Sequence, residues 1–207
     1  MKKIAFIAFL LTVCVAAGRA QESRQDISLS GTALIEPFIA SATNTDVHSN
    51  RAFGALLSYR FMLTPSSAVE ANYGMTYENT IHYEVGITNN YKVNTRTQEM
   101  SAEYVRSINF RKYNPFVEAG PGAVIFLPIR NSGTTSIDVK QQTQMAAFYG
   151  GGIAREISPS FDVRAEFRGI VTKVPTFGMS GGGSLPNFTT NKWYNIYTPV
   201  IGVAYHF

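Results

Sequence analysis

The 207-residue sequence contains a single cysteine, Cys14, and it sits inside an amino-terminal apolar run from Ile4 to Ala17. Everything after that run is free of thiols, which excludes a disulfide framework and cysteine-ligated metal centres. Histidine is scarce as well: His48, His82 and His206 are the full set. No spacing among these and the scattered Asp and Glu suggests a metal site, so neither metal nor cofactor is expected. Charged residues make up 15 % of the chain. After Ala17 no stretch approaches the roughly 20 apolar residues that a membrane-crossing helix needs. A chain of this kind crosses a membrane as a closed barrel or not at all.

Lys2 and Lys3 precede the apolar run, and Gly18-Arg19-Ala20 follows it with small residues at the third and first positions before a cut. The pattern predicts a secretory signal peptide over residues 1–20, cleaved between Ala20 and Gln21, and one domain over residues 21–207. Val13 stands where a lipoprotein signal would place a small residue before Cys14, so no lipid anchor is expected. Without Lys2, Lys3 and Arg19 the formal charge falls from +4 to 15 basic against 14 acidic residues, or +1. The basic balance therefore gives no argument for a nucleic-acid partner.

What the chain does have is aromatic residues, 13 % of the total, and a two-residue repeat of polarity. Eight strand-like segments are predicted, at 27–41, 51–63, 67–79, 93–107, 114–127, 141–156, 160–173 and 193–207. Each covers the roughly 9–11 residues that a tilted strand needs to cross the hydrocarbon. Short turns near 64–67, 110–114 and 157–160 alternate with longer connections at 42–50, 80–92, 128–140 and 174–192. The last of these contains Ser180-Gly181-Gly182-Gly183-Ser184 and is expected to be mobile.

The clearest segment carries Phe161, Val163, Ala165 and Phe167 on one face and Asp162, Arg164, Glu166 and Arg168 on the other. Such a charged face cannot sit in an apolar core, because unpaired buried charges are very costly. Either the charges face water around a soluble calycin-type barrel, or they fill the interior of a membrane barrel. Aromatics toward both ends of the apolar face favour the second arrangement. So do the glycines on the polar face, at 54, 74, 120, 122 and 202. The predicted lumen set is Arg60, Glu70, Glu99, Glu103, Glu118, Asp162, Arg164, Glu166 and Arg168. Glu70, Glu118 and Glu166 are the expected arginine partners. An eight-stranded barrel is just wide enough inside for side chains to fill it, so a salt-bridged plug is favoured over an ion path.

The final segment, Trp193 to Phe207, ends on an aromatic residue with Tyr205, Val203 and Ile201 at steps of two before it. Together with the Pro115-to-Ala123 and Tyr149-to-Ala154 segments and the eight-segment layout, it resembles the small eight-stranded outer-membrane barrels. That group contains OmpX and the transmembrane domain of OmpA. The resemblance implies an all-β, eight-stranded antiparallel up-and-down transmembrane β-barrel in the outer membrane of a Gram-negative-type cell. It implies outer-membrane lipids and the barrel assembly machinery as partners, with Phe207, Tyr205, Val203 and Ile201 as the assembly signal. A surface ligand would be met through loops 42–50, 80–92, 128–140 and 174–192.

An enzyme is not expected. His48 and His82 fall in predicted loops and His206 at the turn-side edge, without an evident nucleophile or carboxylate orienter at a useful spacing. Gly150-Gly151-Gly152 opens no helix and is no phosphate loop. The expected role is structural or surface-interacting. The alternatives are an outer-leaflet lipid-modifying enzyme, similar to lipid A deacylases or acyltransferases, and a soluble secreted barrel that binds an apolar ligand.

Overall fold

The structure, a computed structural model, describes residues 24–40, 45–86, 88–108, 110, 113–133, 138–179, 188–190 and 192–207. The expected signal peptide lies outside the described residues. Among the described residues every regular element is a strand: β1 (Gln25–Leu34), β2 (Ile39–Ala40), β3 (Thr45–Ser49), β4 (Ala52–Thr64), β5 (Ser67–Thr76), β6 (Asn79–Val85), β7 (Asn89–Ser107), β8 (Tyr113–Gly133), β9 (Gln142–Ser158), β10 (Phe161–Lys173) and β11 (Trp193–His206). Eight of them form a circuit, β1-β4-β5-β7-β8-β9-β10-β11, and β11 pairs back onto β1. All pairings are antiparallel, and each follows the chain around the barrel, so the fold class expected from the sequence is the one observed. Closure leaves no unpaired edge in the barrel wall, which a sheet in lipid requires.

The direction of the faces excludes the soluble alternative. Leu29, Phe53, Val117, Phe167 and Ile201 are each more than half exposed on the outer wall, beside Ile27, Leu57, Tyr59, Val69, Tyr73 and Val203. Their cross-strand neighbours share the face: Leu29 pairs with Leu57 on one side and Val203 on the other. A belt of this extent would be a severe aggregation hazard in water and is the ordinary exterior of a barrel in lipid. Tyr205 and Phe207 stack with centroids 6.1 Å apart, and Phe161 lies 5.1 Å from Tyr205, in an aromatic group at the turn end. Ile201, Val203, Tyr205 and Phe207 all point outward.

Residues 80–92 are not the predicted loop. β6 and β7 continue the β5–β7 hairpin past the barrel, paired from Asn79↔Thr95 to Val85↔Asn89, and the turn includes Gly86 at φ 63°. Ile81, Tyr83, Tyr91 and Val93 alternate with polar residues here and are all buried. The richness in Asn and Thr masked a period of two. β3 adds to β6, β2 adds to β3, and the end of β8 through Gly133 pairs with β7. The predicted loops 42–50 and 128–140 are therefore partly strand, and a small sheet stands beyond the loop end of the barrel.

The described residues of 174–192 are packed against the barrel, and Ser180-Gly181-Gly182-Gly183-Ser184, the run on which mobility is expected, lies outside the described residues. Val174, Phe177, Met179 and Phe188 are buried in a cluster with Tyr83, Tyr91, Val93, Phe126 and Phe148. The Gln142 side-chain oxygen accepts from the amides of Thr176 and Phe177, at 2.6 and 3.0 Å, and anchors the segment. Phe177 adopts φ 47° and Gly178 φ 77°, which turns the chain inward. The apolar residues are few, but Val174, Phe177, Met179 and Phe188, among the described residues, are all buried in that cluster. Phe177→Ala should destabilise this segment by about 3–5 kcal/mol, the usual cost of emptying a buried phenylalanine site. Amides of 174–179 should then exchange faster with deuterium while the barrel keeps its heat-dependent gel mobility.

Candidate functional site: a charged lumen beneath an apolar cap

Strand parity sends Arg60, Arg164 and Arg168 into the lumen, where they are only 3 %, 4 % and 1 % exposed. Arg168 on β10 is the hub. Its Nη1 lies 2.5 Å from Glu99 Oε1, its Nη2 2.6 Å from Glu103 Oε1, and its Nε 3.4 Å from Glu118 Oε1. Glu103 Oε1 also accepts from Asn72 Nδ2 at 3.0 Å and Ser101 Oγ at 2.6 Å. Arg60 donates through Nε to Glu70, its direct cross-strand neighbour on β5. Arg164 Nη2 lies 2.6 Å from Asp26 Oδ2, and its Nη1 is 3.8 Å from Glu70 Oε2. Asp162 faces His206 Nε2 at 3.0 Å near the turn end.

Glu166 shares this face and lies in the field of all three arginines, but it makes none of the close ion pairs given above. Asp26 was not among the predicted lumen residues, although it is the nearest partner of Arg164. The first predicted segment began at Ile27. The signal that could have found it is parity, since Asp26, Ser28 and Ser30 lie on one buried face.

Glycine makes the central contact geometrically feasible. Gly150 on β9 stands between Glu118 on β8 and Arg168 on β10, paired with both. A Cβ there would lie 3.0 Å from Glu118 Oε1 and 3.1 Å from Arg168 Cγ, so a larger residue would push the pair apart. Aromatic rings bracket the charges: the Arg168 guanidinium lies 5.5 Å from the Phe148 centroid, and that of Arg60 4.8 Å from Phe116. Toward the turn end a vestibule of about 210 Å³ opens beside Arg60, Arg164, Asp162 and His206. Toward the loop end, Phe148 begins the apolar cluster that includes Phe177 and Phe188.

Glu36 lies beyond the outer end of β1 and is a separate half-buried acid beneath this cap, with its Oε1 enclosed. Burial raises its carboxyl to about 7, against the opposing effect of the Ser49 and Asn79 side chains. Tyr83 is close by, and its hydroxyl donates to the Pro175 carbonyl at 2.8 Å. The folded state holds the Glu36 proton more tightly than the unfolded chain does. Stability should therefore fall as pH rises from about 4.5 through 7 and level off above that. The loss is on the order of 3 kcal/mol. Urea unfolding at pH 5 and pH 8 should show it, and Glu36→Gln should remove it.

Arg168→Met should lower stability by about 3–5 kcal/mol, because it leaves three carboxylates without their guanidinium in a confined space. Combining it with Glu99→Gln and Glu103→Gln should recover part of that loss in the same unfolding measurement.

The comparisons with known proteins agree with this geometry. The family model described as outer membrane protein beta-barrel domain matches residues 5–207. Neisserial surface protein A is 12 % identical with a TM-score of 0.55, over 89 % of this chain and 98 % of that one. The outer membrane protein OprG from Pseudomonas aeruginosa is likewise 12 % identical with a TM-score of 0.55, over 91 % of this chain and 98 % of that one. At such identity the likeness concerns the fold alone. No curated protein sequence matches the chain. The family match across almost the whole chain, the closed eight-stranded circuit and the apolar outer belt together show that this chain belongs to the outer membrane protein beta-barrel family and resides in the outer membrane of a Gram-negative-type cell.

Proposed function

We propose that this protein is a non-enzymatic outer-membrane barrel with a closed lumen, which acts through the surface elements it holds beyond the membrane. The observation that carries the closed lumen is Arg168 held among Glu99, Glu103 and Glu118 across the barrel axis. A second layer, with Phe148, Phe177 and Phe188 buried together, lies toward the loop end. Charged groups in so narrow a space are held by several partners each, and water-filled continuity along the axis would require breaking them.

The surface role is supported by the strands that continue past the barrel. β3, β6 and the outer part of β7 form a ladder from Thr45↔Val85 to His82↔Lys92, which gives the outer hairpins a fixed shape. The partners follow from position. Outer-membrane lipids would meet the apolar belt, the barrel assembly machinery would meet the segment ending in Tyr205 and Phe207, and a surface ligand would meet the outer hairpins. The non-enzymatic reading is supported by His206, which pairs with Asp162 at the end away from the loops.

Planar-bilayer recording of the purified barrel tests the closed lumen. The wild-type protein should give no steady conductance, and a persistent open level would refute the reading. Arg168→Ala combined with Phe177→Ala should open a leak. The lumen carries Asp26, Glu70, Glu99, Glu103, Glu118, Asp162 and Glu166 against three arginines, so that leak should favour cations.

A further inference from the structure

The strongest unassigned feature is a pair of histidines that the chain keeps 34 residues apart and the fold places side by side. His48 on β3 and His82 on β6 are direct cross-strand partners. Their rings stack with centroids 4.7 Å apart and planes within 8° of parallel. Both are half-buried and lie on the face of the protruding sheet opposite Val47, Ile81 and Tyr83, which are buried. The Phe38 ring covers the His48 side at 6.4 Å.

We infer that His48 and His82 form a two-imidazole chelate for a divalent transition-metal ion on the protruding sheet. Imidazole is a good ligand for Cu²⁺, Ni²⁺ and Zn²⁺, and among these Cu²⁺ binds most strongly at a given site. Metal–nitrogen bonds of about 2.0–2.1 Å place two adjacent ligand nitrogens about 3 Å apart. Two rings already side by side reach that separation by turning about the Cβ–Cγ bond, whose torsional preference is broad. The backbone does not have to move. β6 is paired on one side to β3 and on the other to β7, so the ligand positions are held before the ion arrives.

Asp46 and Glu84 are cross-strand partners one step further along the same face, and they supply negative charge beside the pair. Among the described residues no group of three or more histidine, cysteine or acidic side chains is arranged to hold a metal. The site is therefore a two-ligand one, and its other coordination positions are left for solvent or a donor from a second molecule. Such a site is open and exchangeable rather than structural.

The test uses untagged full-length mature protein folded in detergent micelles. Cu²⁺ is titrated in and followed by electron paramagnetic resonance, and Zn²⁺ is titrated by calorimetry. One ion per barrel should bind, and the Cu²⁺ spectrum should show coupling to two imidazole nitrogens. His48→Gln and His82→Gln should each weaken binding at least tenfold, and the double variant should lose the two-nitrogen signal. Heat-dependent gel mobility establishes that each variant is folded. Asp46→Asn with Glu84→Gln should keep the two-nitrogen spectrum. The inference is overturned if the wild-type protein shows no saturable binding. It is also overturned if the histidine variants bind within twofold of wild type, or if the carboxylate variant alone abolishes the signal.

Discussion

In hydrocarbon a backbone amide has no partner but another backbone amide, and the architecture of this protein follows from that condition. A sheet that satisfies every strand on both sides has to close, and here the circuit closes through β1–β11 and β7–β8. Closure then sorts the side chains by parity. Leu29, Leu57 and Val203 are sent outward together, whereas Asp26, Arg60 and Arg164 are sent inward. Outward residues must be apolar because lipid surrounds them. Inward residues must satisfy one another, because eight strands leave little room for anything else.

That interior is built in layers. Near the turn end, Arg60, Arg164, Asp162 and His206 line a vestibule, and Asp26 pairs with Arg164. In the middle, Arg168 gathers Glu99, Glu103 and Glu118 across strands. Gly150 leaves the gap through which the Glu118 and Arg168 side chains meet. At the loop end, polar groups give way to Phe126, Phe148, Phe177 and Phe188. Each guanidinium thus lies near carboxylates, and Phe116 and Phe148 cover the Arg60 and Arg168 guanidinium groups where charge meets apolar surface.

Beyond the membrane, the same hairpins continue under a different constraint. Water can satisfy an edge there, so the strands need not close, and they end in a small open sheet with β2 at its margin. One face of that sheet still packs on the cap through Ile81, Tyr83 and Val47, and the other presents His48, His82, Asp46 and Glu84. The protruding elements are therefore held by apolar contact with the loop that fills the barrel mouth, and cap and hairpin depend on each other.

The eight crossing segments, the assignment of each face and the inward direction of Arg60, Arg164 and Arg168 are legible in the sequence. All three are local properties: alternation with a period of two is readable within one strand, and the cost of charge in lipid settles which face is which. Of the partners the sequence points to, Glu70 and Glu118 do meet Arg60 and Arg168, but it does not show that Asp26, Glu99 and Glu103 make the nearest pairs of Arg164 and Arg168. Asp26 and Arg164 are 138 residues apart, and Arg168 and Glu103 65 apart, so their meeting depends on register and stagger around a closed barrel. Nor did the sequence reveal that Val174, Phe177, Met179 and Phe188 insert into the mouth, because isolated apolar residues in a polar connection have no period. Residues 80–92 read as a loop for the opposite reason, since Ile81, Tyr83, Tyr91 and Val93 do alternate but are diluted by Asn and Thr. The stacking of His48 on His82 belongs wholly to the tertiary structure, because it arises only when β3 pairs with β6.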